Sequence, residues 1–97
     1  MKYLIIDGMI SGTGIRDAVE GGYIKPPELG LSIPLIDDIK LWLSRYEEAH
    51  YTQFVDAEEV IDLDLQGLAL SRRLIYELPS VKVQYFSNAK MQMIKLD

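Results

Sequence analysis

The chain has 97 residues, 48% of them hydrophobic and 26% charged, with no cysteine, one histidine and a formal net charge of -5 at pH 7. That length suits one small domain with a single core, and an apolar content at the globular average excludes wholesale disorder. The lack of cysteine excludes a disulfide framework, thiolate catalysis and cysteine-ligated zinc, and agrees with a reducing cytoplasm; the acidic balance argues against nucleic acid, whose binding draws on cations displacing counterions.

The first element is an apolar run, "KYLIID" (residues 2–7), rich in β-branched and aromatic side chains, which reads as a strand. One lysine and four or five apolar residues precede Asp7, far short of a signal peptide's apolar stretch or a membrane span. From Gly8 to Ser32 the chain holds six of its seven glycines together with Pro26 and Pro27, so a long loop with at most a turn or two of regular structure is expected. Within it "IRDAVE" (15–20) suits a short helical turn or a short strand, and Arg16 is placed to pair with Asp7 or Asp17. The loop follows a strand, which invites a phosphate-binding reading. The dinucleotide pattern fails, because the third glycine position after Gly12 and Gly14 falls on Asp17; the P-loop pattern fails for want of Gly-Lys followed by Ser or Thr. A backbone-turn role is the better reading.

A helix is expected to begin at Ser32, a good N-cap, with Pro34 in the first turn and Asp37 and Asp38 near the positive end of its dipole. Leu35, Ile39, Trp42 and Tyr46 recur at three and four residues and form its buried stripe, which leaves Leu41 exposed on an acidic side with Asp37, Ser44 and Glu48. His50 closes this helix, where an imidazole suits the negative dipole end and "EEAH" offers no metal-ligand spacing. "DAEE" (56–59) has the form of a capping box and starts a second helical segment near Asp56. The alternation in "VIDLDLQG" suggests that this segment breaks, with Asp62 or Asp64 capping a longer helix that ends before Pro79. Gly67 and Ser71 on that helix allow a close helix–sheet contact. "VKVQYFS" (81–87) alternates as a strand, and "AKMQMIKL" suits a final strand after a turn at Ser87-Asn88 or a helix capped there. This order predicts an α+β domain, or a small α/β one, with two or three strands and two or three helices, and it allows its strands to run parallel through a helical crossover.

Nine acidic residues (Asp37, Asp38, Glu47, Glu48, Asp56, Glu58, Glu59, Asp62 and Asp64) crowd into 28 residues that hold only Lys40 and Arg45 as bases. Either this is a solvated helical face, or it docks a basic protein with Leu41, Tyr51 and Phe54 as apolar anchors inside a charged rim. A serine triad would need the single histidine, and no Gly-x-Ser-x-Gly elbow exists.

At "SGTGIRD", "GGYIKPPELGLS", "LWLSRYEEAHY" and "VKVQYFS" the chain resembles small bacterial immunity proteins of polymorphic toxin systems, particularly those of contact-dependent growth inhibition. The resemblance implies a non-catalytic cytoplasmic inhibitor that binds the C-terminal toxin domain of a sister cell, often a nuclease with a basic cleft. The expected toxin-binding residues are then Asp37, Asp38, Leu41, Glu47, Glu48, Tyr51, Phe54, Glu58, Glu59 and Asp62, with no metal, no cofactor, no nucleic acid and no membrane involved. The alternatives are a small enzyme or ligand-binding domain using the glycine-rich 8–32 loop, and a structural homo-oligomer that pairs exposed strands.

Overall fold

In a computed structural model, which describes residues 2–96, the N-terminal apolar run forms β1 (Tyr3–Asp7). A three-residue strand β2 (Ile15–Asp17) turns back against it, so the first half of "IRDAVE" is a strand and the second half a turn, closed by Gly21 N–H donating to Asp17 O at 3.0 Å. A 3-10 turn (Pro26–Leu29) leads into two helices, α1 (Ile33–Tyr51) and α2 (Ala57–Glu77), and the chain ends in β3 (Lys82–Ser87) and β4 (Gln92–Ile94). The sheet order is β2-β1-β3-β4, with β1 and β3 parallel at the centre and the outer pairs antiparallel. This is an α+β domain with two helices, within the two or three expected, and a sheet of four strands where two or three were expected; β2 is supplied by the glycine-rich stretch, and the C-terminal segment takes the strand alternative.

The sheet register explains which side chains enter the core. Leu4 pairs with Val83, and Ile6 with both Ile15 and Tyr85, so alternate residues of all three strands point to one face, where both helices lie. From α1 that face receives Leu35, Ile39, Trp42 and Tyr46, the stripe expected from the 3.6-residue period. Each aliphatic side chain so buried contributes about 1.5–3 kcal/mol. No described helix is long and apolar enough to cross a membrane.

Ser32 caps α1 through its side chain, which accepts from the Leu35 N–H at 3.4 Å. The carboxylate of Glu77, at the far end of α2, accepts from Ser32 N–H at 2.7 Å and from Ser32 Oγ at 2.6 Å, so one cap ties both helices together. Those two bonds hold the Glu77 carboxyl below the usual carboxylate range. Asp56 caps α2 by accepting from Glu59 N–H at 3.1 Å.

The expected break near Asp62 or Asp64 does not occur: α2 runs unbroken from Ala57 to Glu77. At helical spacing Val60, Leu63, Asp64, Gly67, Ser71 and Leu74 share the buried face, and the apparent strand alternation arises because Ile61 and Leu65 are apolar but exposed. Asp64 is no cap. It lies at 4% exposure inside the core, with Oδ1 accepting from Tyr85 OH at 2.6 Å and Tyr46 OH at 3.0 Å, and Oδ2 accepting from Ser87 Oγ at 2.8 Å. Burial, and then the bond to Asp64, raises the Tyr85 phenol far above its ordinary range, and burial also raises that of Tyr46. Gly67 permits this approach of α2 to β3, since a Cβ there would come within 2.2 Å of the Tyr85 ring.

Candidate functional site

The connection between α1 and α2 is a tight turn without glycine. Gln53 and Phe54 both adopt left-handed backbone (φ 58° and 57°), and Phe54 N–H donates to Ala49 O at 2.9 Å, which closes the end of α1. The strain is offset by packing, because Phe54 lies edge-on against His50, with ring centroids 4.7 Å apart, and against Tyr46 at 5.9 Å. The chain reversal turns Phe54 inward and leaves Tyr51 and Val55 standing out at 79% exposure each.

The tip so formed is acidic for a simple sequence reason: residues 46–71 contain seven carboxylates (Glu47, Glu48, Asp56, Glu58, Glu59, Asp62 and Asp64) and no lysine or arginine. The hairpin gathers all but Asp64 at its surface. Glu48, Asp56 and Glu58 are exposed and Glu59 half-buried, around Tyr51, Val55 and Ile61. Glu47 leans toward the 8–14 loop, where it accepts from Ser11 N–H at 3.4 Å.

The ten residues singled out in the sequence therefore fall into two groups. Glu47, Glu48, Tyr51, Phe54, Glu58 and Glu59 come together at the tip, where Phe54 supports the turn and Tyr51 is the projecting aromatic. Asp37, Asp38, Leu41 and Asp62 lie further along the helices, Asp37 being about 16 Å from Glu48 along the axis. Two of these carboxylates are engaged between the helices: Asp38 accepts from Arg73 at 2.6 Å and Asp62 from Arg45 at 3.0 Å. Leu41 is 67% exposed beside them. Comparison with protein-family models, with curated proteins and with solved structures finds no match. The function must be read from the geometry.

The glycine-rich loop has its own chemistry. Asp7, at the carboxyl end of β1 and 1% exposed, accepts from Tyr23 OH at 2.9 Å and from Met9 N–H at 3.3 Å. Arg16 Nε sits 3.3 Å from Asp7 Oδ2, yet it is not aligned for a hydrogen bond, so the contact is one of charge. The guanidinium continues over the Phe86 ring at 5.8 Å. Burial, reinforced by the Asp7 hydrogen bond and charge, pushes the Tyr23 phenol up to about 12. The carboxylate end of β1 is thus already taken up by the chain's own donors, and these fasten the loop to the sheet.

Gly14, Gly21, Gly22 and Gly30 supply positive φ at the turns of the loop, and Gly8 and Gly12 answer to packing. A Cβ at Gly8 would come within 2.4 Å of the Tyr46 ring, and one at Gly12 within 2.7 Å of the Tyr23 ring. His50 belongs to the same scaffold, because its Nε2 is 2.9 Å from Gly8 O, which joins the end of α1 to the end of β1. It braces a loop, where the sequence suggested only a helix terminus.

Buried Asp64 and the paired arginines are what sequence reasoning missed. Asp64 shares a helical face with Val60, Leu63, Gly67 and Ser71, so the spacing held the signal; the competing strand alternation concealed it.

Proposed function

We propose that this chain is a protein-binding module without catalytic work of its own: a cytoplasmic immunity protein that captures and neutralises a positively charged toxin domain. The contact is made through the tip of the α1–α2 hairpin. One observation carries this reading: the α1–α2 turn and the helix ends flanking it, residues 46–61, hold five carboxylates and no lysine or arginine, with the exposed Tyr51, Val55 and Ile61 set among them. A dense negative potential speeds encounter with a basic protein, while Tyr51, Val55 and Ile61 supply area that leaves water on docking. The rigid support fits the same purpose. The Phe54–His50–Tyr46 stack and the His50–Gly8 contact brace the helix end at the tip, and Tyr46 carries that support on to Asp64 in the core, so little ordering is required at binding. A nuclease is the expected target class, since its cleft is built to attract phosphates and carboxylates compete for the same field.

Co-expression tests the proposal. Where the reading frame upstream encodes a large secreted protein, the chain is produced with the C-terminal domain of that protein and cell survival is scored. Survival that depends on the chain, and that is lost when Glu48, Glu58 and Glu59 are changed together to lysine, supports the reading. Death irrespective of the chain, or survival unaffected by the triple reversal, overturns it.

A further inference from the structure

The side of the α1–α2 layer that faces away from the sheet is uncovered, and a groove of 510 Å³ runs along it between the helices. Its floor is the buried pair Trp42 and Leu70, and its walls carry the exposed Leu41 and Ala69. Leu65 continues the apolar strip one helical turn before Ala69. The charges at the corners are arranged in a definite way. Early α1 gives Asp38, which meets Arg73 of late α2; later α1 gives Arg45, which meets Asp62 of early α2. Each helix therefore reads acid, apolar, base along its own direction, and because the two run antiparallel the four corners alternate in sign around the groove.

We infer that this groove is a two-fold interface between two copies of the chain, in which the Leu41–Ala69 strip of each seals that of the other. The occupant follows from the charge pattern. A closed pair of copies uses one self-complementary patch related by a two-fold axis lying in the contact plane. With that axis parallel to the helices, Arg45 faces an Asp62 and Asp38 faces an Arg73 across the seam. With the axis perpendicular to them, Arg45 faces an Asp38 and Asp62 faces an Arg73. Base meets acid at every corner in both arrangements. A uniformly basic partner would instead meet two arginines at the rim. All four corner side chains remain about half exposed and keep free hydrogen-bonding positions for a second contact.

The two-layer fold leaves one face of its helices bare, and a second copy converts that face into the centre of a four-helix layer. The hairpin tip lies beyond the groove, so both tips of the pair stay free. This inference does not depend on the proposed toxin capture.

Sedimentation equilibrium and light scattering on the full chain test it, over concentrations rising to about 1 mM. The expected mass approaches twice the 11.1 kDa of the single chain. Leu41→Glu and Ala69→Glu, both at exposed positions and checked for folding by circular dichroism, return the mass to that of one chain, whereas Glu58→Lys at the tip does not. Trp42 is the sole tryptophan, so its emission in the parent shifts on dilution and stays constant in Ala69→Glu. A single-chain mass throughout the range, or a pair retained by both groove variants, overturns the inference.

Discussion

Replacing Asp64 by alanine removes the acceptor shared by Tyr46, Tyr85 and Ser87, and the loss can be sized from those contacts. A hydrogen bond to a charged group contributes about 1.5–3 kcal/mol, and each buried hydroxyl left without a partner costs about 1–3 kcal/mol. The terms overlap, and part is returned because no carboxylate has to leave water, so a net loss of about 3–5 kcal/mol is expected. Tyr46 OH limits the damage, since it still accepts from Ala89 N–H at 3.0 Å. For a domain of this size each kcal/mol moves the melting midpoint by roughly 4–8 °C, which puts the fall at 12 °C or more. Asp64→Asn keeps one acceptor oxygen for the two phenols and is expected to lose only about 1–2 kcal/mol. Thermal and urea unfolding followed by circular dichroism give both values. An alanine variant melting within about 3 °C of the parent refutes the premise that this carboxylate organises the core.

Gly67→Ala should destabilise by about 1–3 kcal/mol despite alanine's better helix propensity, because the added methyl meets the Tyr85 ring; chemical unfolding that shows a gain contradicts the close helix–sheet contact. Gln53→Gly should raise stability by about 0.5–1 kcal/mol, since glycine accepts the φ of 58° at the hairpin turn without strain, and an unchanged or lowered midpoint counts against that geometry. Tyr23, Tyr46 and Tyr85 all hold their protons more tightly folded than unfolded, so stability is full below pH 10 and falls as pH rises above it. Tyr23→Phe should flatten that alkaline slope, and a pH-independent midpoint above pH 10 in the parent would refute the assignment. At acid pH the sign is opposite for Glu77: its depressed carboxyl stabilises the fold above pH 4.5 and the contribution disappears as pH falls, so Glu77→Gln should remove part of the acid dependence.

Much of this architecture was legible in the residue pattern because local periodicity and burial agree there. Leu35, Ile39, Trp42 and Tyr46 repeat at helical spacing and are buried, Ser32 and Asp56 cap the helices, and the alternation of 82–87 enters the sheet as it reads. The unbroken α2 was hidden because a buried acid looks like a cap until its donors are known, and those come from Tyr46, Tyr85 and Ser87, between 18 and 23 residues away. β2 was ambiguous for a related reason: three residues carry no period, and their strand character comes from pairing with β1. Of the candidate surface, the acidity and the exposure of Leu41 and Tyr51 could be read directly. The neutralisation of Asp38 and Asp62 could not, since Arg73 is 35 residues from Asp38, and Arg45 is 17 from Asp62 on the neighbouring helix.

The most direct measurement of the central claim is the association rate between this chain and the basic toxin domain proposed as its partner, taken by stopped flow at low and at high salt. Steering by an acidic tip predicts that Glu48→Lys, Glu58→Lys and Glu59→Lys together slow association by about tenfold or more at low salt, with the gap closing as salt screens the field. Equal rates for parent and triple variant at low salt would contradict it.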